Sequence, residues 1–226
     1  MPVGIVREDG GARLRLDGTR RLTQAERSAR THDALLESAA RDLSRYGYGN
    51  LVLERVARDA GYTRGALYHQ FKDKEDLALA VVAWVHETWS HEVGEPVARE
   101  PDPVAALILL ARGHAVYCRR ELARVAMALR LEFSARDHPV GRAVKDILDG
   151  IVKQAATLVT AGRKAGTIPT GPPAKTVARA LVGAIEGVVI ELAGQAPHDE
   201  ILAARATVGV LGIDAPPEIA SPPTPR

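Results

Sequence analysis

Between Thr63 and Lys74 the chain gathers Arg64, Gly65, Tyr68, His69, Gln70, Lys72 and Lys74. These side chains suit DNA. Arginine can fork onto guanine, glutamine can pair with adenine, and tyrosine and lysine can hold phosphates. Other chemistries are poorly provided for. His86-Glu87-Thr88-Trp89-Ser90-His91 has one residue too many for a zinc-hydrolase helix, so its two histidines point about 140° apart. Gly162-Arg163-Lys164 lacks the preceding glycine and following Ser/Thr of a phosphate loop. There is no serine elbow. The expectation is therefore no catalytic residue, no metal site and no cofactor. The single cysteine, Cys118, excludes an intramolecular disulfide framework and reads as a small buried apolar residue.

The elements that must carry the Thr63–Lys74 group are legible. Leu36, Ala39, Ala40 and Leu43 recur at helical spacing from about Ala29, and Gly47 stops that helix. A second helix from about Leu51 to Ala60 turns Leu53, Val56, Ala57 and Ala60 inward. Gly61 gives a tight turn, and Thr63 caps a short helix ending near Phe71. Two short helices joined through a glycine turn make a helix-turn-helix. If Leu67 and Phe71 face inward, Arg64, Gly65, Tyr68, His69 and Gln70 face outward. The plain alternative is a helical hairpin with a solvated polar face. Asp73 caps a fourth helix, which runs from Lys74 into the low nineties and is ended by Gly94 and Pro96. Further helices are expected at about 102–118, 121–134, 139–164, 174–194 and 199–211. The stripe Val140, Val144, Ile147, Ile151, Ala155, Leu158 is the clearest amphipathic run.

Composition agrees with an all-α fold. Hydrophobic residues make up 46% of the 226 positions and aromatics only 4%, a balance that favours helices over sandwiches and barrels. No apolar run is long and uncharged enough to be a membrane span or signal sequence, so the chain is expected in the cytoplasm, without a membrane partner. Residues 1–74 hold 14 Lys+Arg against 10 Asp+Glu, and residues 75–226 hold 16 against 18. The positive excess lies in the front third, which hints at a polyanion partner there. Residues 1–26 read as a flexible basic arm, and residues 215–226, rich in proline, as a disordered tail.

From Leu36 to Val82 the sequence resembles the DNA-binding domain of the TetR family of transcriptional regulators. The resemblance rests on Ala60-Gly61-Tyr62-Thr63 and on the run from Gly65 through Leu77. It implies a helix-turn-helix domain over 27–75, followed over 76–214 by a helical ligand-binding and dimerisation domain. It also implies a homodimer that places helix 63–71 of each subunit in the major groove of a palindromic double-stranded operator. A small-molecule effector would release a repressor of this kind. By the same resemblance Arg64 reads bases, Tyr68 and His69 touch phosphate or base edges, and Lys74 contacts phosphate. One departure stands out. The family commonly starts its second helix with a capping Thr or Ser, and here that place is Val52 beside Leu51, so the cap is expected to pass to Asn50.

Large or polarisable residues on the helices that should ring a cavity are pocket candidates: Trp84, Trp89, His114, Tyr117, Met127, Arg130 and Phe133. Helix 174–194 carries two stripes. Val177, Leu181, Ala184, Val188 and Leu192 form one, and the small residues Ala180, Gly183, Gly187 and Gly194 the other. Glycine inside a helix costs about 1 kcal/mol relative to alanine, and close approach of another helix would offset that. A four-helix dimer interface with the helix near 199–211 is the expectation; packing of both stripes within one subunit is the alternative. The competing functions are an interaction module without an effector and a helical enzyme.

Overall fold

The computed structural model describes residues 23–214, so the expected basic arm up to Leu22 and the proline-rich tail lie outside the described residues. Within that range the fold is all α, with no strand among the described residues. The first helix, α1 (Gln24–Tyr46), starts earlier than apolar spacing suggested. Thr23 and Glu26 form a reciprocal capping box, which satisfies two of the free N–H groups at the helix start. Residues 24–26 thus belong to α1 rather than to the arm.

The helix-turn-helix follows as α2 (Leu53–Asp59) and α3 (Arg64–Gln70). Between them Gly61 takes φ +79°, a conformation that costs a residue with a Cβ about 1–2 kcal/mol. The expected cap on α2 is corrected. Val52 stands at the N-cap without a side-chain hydrogen bond, and the Asn50 amide instead donates back to the Tyr46 carbonyl at 3.1 Å. Arg55 of α2 makes up the hold on this region. It pairs with the buried Asp42 of α1 and donates to the Asn50 carbonyl at 2.7 Å.

Asp73 caps α4 (Lys74–Trp89), accepting from the Asp76 N–H. The expectation that Gly94 and Pro96 end this rod needs correction. One wide turn at Ser90–Gly94 leads directly into α5 (Glu95–Arg99). Pro96 sits in the first turn of α5, where no intrahelical N–H bond is lost. The rod shifts register but does not stop there.

Then come α6 (Pro103–Tyr117), a single tight turn at Glu121–Ala123, α7 (Arg124–Glu132), α8 (Pro139–Ala165), α9 (Ala174–Leu192) and α10 (His198–Leu211). Helix α10 packs on both α9 and α6, and α8 packs on α9. At the end of α8, a Cβ on Gly162 would lie 2.5 Å from Ile168 Cδ1, so this glycine serves close packing of the chain that folds back over the helix.

Two large apolar cores result among the described residues, beside a small cluster at Ala204 and Val208. The front core joins Leu35, Leu43, Val56, Leu67, Phe71 and Leu77 to Val125, Leu129 and Phe133 of α7 and to Val140 and Val144 of α8. The rear core begins at Trp89 and runs through α6, α8, α9 and α10. Helix α4 belongs to both, its first turns in the front core and Trp89 in the rear. The helix-turn-helix is therefore welded to the rest of the molecule through α4, α7 and the start of α8.

Candidate nucleic-acid interface and effector cavity

Helix α3 is too short to be stable alone. Thr63 Oγ1 accepts from the Ala66 N–H at 3.2 Å, Leu67 is fully buried and Phe71 nearly so. These anchors leave Arg64, Gly65, Tyr68 and His69 exposed on one side. Tyr68 is 43% exposed, far more than a tyrosine needs for packing. The Arg64 guanidinium lies 5.3 Å from the Tyr68 ring centroid and donates to its hydroxyl at 3.3 Å. It also pairs with Glu54 of α2 at 2.8 Å. The neighbouring phenol and carboxylate raise its pKa, so Arg64 stays cationic and is held extended from the start of α3.

The remaining predicted contacts differ in freedom. Lys72 is exposed. Gln70 is half-buried and donates to Ser28 Oγ at 3.0 Å, which ties α3 to α1. Lys74 does not hang free either. Its ammonium donates to the Gly49 carbonyl at 3.0 Å and lies over the Tyr48 ring. Glu132, at the end of α7, takes the same loop from the other side. Its carboxylate accepts from the backbone N–H groups of Tyr48 and Gly49, both at 2.6 Å. The α1–α2 loop is thus clamped between α4 and α7. Sequence reasoning misses Glu132, because the partners are far apart in the chain and no local pattern marks them.

Behind this face lies a small, mostly apolar cavity of about 80 Å³. Its wall is mostly aliphatic: Val82 and Val85 of α4, Leu110 of α6, Val144, Ile147 and Ile151 of α8, Val182 and Ile185 of α9. Ile147 and Ile151 are only half-buried in the protomer because they line this space. Of the residues expected in a pocket, Trp89, His114 and Tyr117 are brought together here. Trp84 packs against the front core instead. Met127 is on α7 but outside the wall. Phe133 is in the front core and stacks on His138. Arg130 reaches the cavity only through Glu186, at 3.6 Å.

The cavity's polar groups are few. Tyr117 donates to the Val85 carbonyl at 2.9 Å and lies 2.7 Å from the Thr88 hydroxyl. Trp89 Nε1 donates to His114 Nδ1 at 3.0 Å, and burial pulls the His114 pKa down to about 4. Burial likewise pushes the Cys118 thiol up to about 12, which makes it inert as a nucleophile at neutral pH. Burial raises the Glu186 pKa, with Arg130 opposing.

Residues 35–81 match the family described as bacterial regulatory proteins, tetR family. These residues carry the DNA-binding domain of that family. The chain is a DNA-binding transcriptional regulator. The HTH-type transcriptional repressor BepR of Brucella suis biovar 1 is 27% identical over 193 residues, an overlap of 80% of this chain and 90% of that one. The crystal structure of a TetR transcriptional regulator from Chloroflexus aurantiacus superposes with TM-score 0.69 at 20% identity, covering 82% of this chain and 94% of that one. FadR from Bacillus subtilis in complex with stearoyl-CoA gives 0.66 at 18% identity, covering 80% and 97%. At these identities the two structures establish the shared fold.

In the second half of the chain the small stripe of α9 is laid bare. Ala180, Gly183 and Gly187 are not buried, and a Cβ on either glycine would meet nothing within 4 Å. Ile190, on the same face, is 60% exposed. Next to it α10 exposes Leu202 and Gly209. Gly194 stands apart from the stripe, past the end of α9, at φ +85° in the turn to α10. The inward face of α9 is Val177, Ala178, Leu181, Ile185 and Val189.

Proposed function

We propose that this regulator is a repressor that binds a palindromic double-stranded operator as a homodimer in the cytoplasm and leaves it when a small molecule fills the cavity. The observation that carries the reading is the Arg64–Tyr68 pair at the exposed start of α3, on a short helix locked by Leu67 and Phe71. In this reading Arg64 forks onto a base edge, exchanging Glu54 for guanine. Thr63, Gly65, Tyr68, His69 and Gln70 complete the groove surface, and Lys72 and Lys74 hold phosphate. Residues 27–75 make the DNA-binding unit and residues 76–214 the ligand-binding and dimerisation unit. The open face of α9, carrying Ala180, Gly183 and Gly187, pairs with its copy alongside α10, and Gly194 lets the chain turn between the two.

Release follows from shared elements. Helix α4 starts at the phosphate-holding Lys74 and lines the cavity with Val82, Val85, His86 and Trp89. Helix α7 is a second link: Val125 lines the cavity, and Glu132 grips the α1–α2 loop. A ligand that favours a shifted α4 and α7 changes the spacing of the two recognition helices. That spacing must match one turn of DNA, about 34–36 Å. A ligand acts only through its differential affinity for the two shapes, so operator DNA weakens ligand binding by the same factor.

A band shift across a range of salt concentrations tests the DNA half. Operator affinity falls steeply with salt. Lys74→Ala weakens binding to all sequences alike and reduces the logarithmic salt slope by about one for each phosphate that the lysine neutralises. An unchanged slope in Lys74→Ala would remove the phosphate role from that residue.

A further inference from the structure

The cavity wall carries a polar corner whose capacity is not used up. His114 Nδ1 accepts from the Trp89 indole, which can only donate. The neutral ring therefore carries its proton on Nε2. That N–H finds only the Cys118 sulfur, at 3.5 Å, and stands 4.0 Å from Glu186 Oε1. The first is a weak acceptor and the second distance is too long for a hydrogen bond. Glu186 is 15% exposed and meets Arg130 at 3.6 Å, again beyond hydrogen-bond length. On the neighbouring turn of α4, His86 also lines the cavity, and its buried Nδ1 finds no hydrogen-bond partner among the described residues. Unpaired buried polar atoms are costly, so a ligand that satisfies them is favoured beyond its apolar contact.

We propose that the cavity takes an uncharged apolar molecule bearing a hydroxyl group, which donates to Glu186 and accepts from His114 Nε2–H. This rests on the effector reading above and names its ligand class. A hydroxyl oxygen set beside the line joining His114 Nε2 and Glu186 Oε1, which are 4.0 Å apart, reaches both at hydrogen-bond length and matches both partners, since it is donor and acceptor at once. A carboxylate or phosphate head would bring negative charge against Glu186 inside an apolar wall, where repulsion is poorly screened. An ammonium head would share Glu186 with Arg130 and face the His114 N–H with no lone pair to offer. The aliphatic lining from α4, α8 and α9 takes the hydrocarbon remainder.

The test compares three probes with one tail, 1-decanol, decanoate and decylammonium, by calorimetry on the full chain without DNA. Decanol binds tightest, by about tenfold or more, consistent with one hydrogen bond to a charged group. Glu186→Gln, nearly isosteric, lowers decanol affinity about tenfold and raises that of decanoate. Decanoate or decylammonium binding as tightly as decanol to the wild-type chain overturns the proposal, and so does a failure of decanol to bind at all. Operator binding measured on the same preparation reports separately on the regulator reading. Intact DNA binding with a failed alcohol preference removes only the ligand class.

Discussion

Gly187→Leu yields monomers in sedimentation and lowers operator affinity by about a hundred- to ten-thousand-fold, because the two half-sites are no longer held by one linked pair. The expectation follows from what surrounds the residue. Within the protomer a Cβ at Gly187 meets nothing within 4 Å, so the leucine has room and the fold is not disturbed. Replacing a glycine in a helix interior should even stabilise the protomer by up to about 1 kcal/mol. The harm comes only from outside, where a second α9 must approach closely and is overpacked. A thermal melt as good as wild type together with absent dimers is therefore the expected signature. An unchanged dimer would place the interface on another surface.

Asp199→Asn unfolds more readily than wild type by about 3 kcal/mol near neutral pH. Asp199, at the start of α10, is 0% exposed. Its carboxylate takes two hydrogen bonds from Arg119, at 2.8 and 2.9 Å, and one from the Glu200 N–H. Arg119 also reaches Glu200 at 3.1 Å, and through these bonds the chain after α6 is locked to α10. The asparagine keeps the size but removes the buried, bidentate carboxylate and leaves the Arg119 cation only the more exposed Glu200 as charge partner. The pH dependence has a definite sign. Hydrogen bonding from Arg119, above all, holds the Asp199 pKa below its ordinary value of 3.8. The stabilisation is therefore complete above that value and is lost as pH falls through the depressed folded pKa. The gap between wild type and variant should close in strong acid. Urea melts at several pH values read it directly, and a gap that persists undiminished in acid would mean that charge is not its source.

Much of the DNA-binding end is legible in the sequence because its signals are local. Gly47 and Gly61 at positive φ, Thr63 and Asp73 as caps, and Leu67 and Phe71 as anchors each depend on neighbours a few residues away. The start of α1 lies several residues before the apolar pattern because the Thr23–Glu26 capping box outweighs weak apolar spacing there. The end of α4 is misleading because glycine and proline are breakers only when an N–H is needed, and a wide turn at Ser90–Gly94 spares it. The cavity is less legible. Trp89, His114 and Tyr117 stand out by size, yet Trp84, Met127 and Phe133 share that size and pack elsewhere, since which face of a helix meets the void is set by partners remote in sequence. Two signals lie in plain view. Glu186 interrupts an apolar helix on a side that packs inward, and His86 lies one turn from Trp89 along α4. In sequence the first reads only as a break in an apolar run and the second only as half of a failed zinc motif.

The most direct measurement takes the operator selected from random duplexes by the wild-type chain, then determines affinity for every single-base variant of one half-site with wild type and with Arg64→Ala. If the exposed start of α3 reads sequence, Arg64→Ala loses about 1–3 kcal/mol on the selected operator and becomes indifferent to the base at one position per half-site, while its preferences elsewhere persist. Equal affinity and an unchanged base preference at every position would contradict the assignment of α3 as the element that reads DNA.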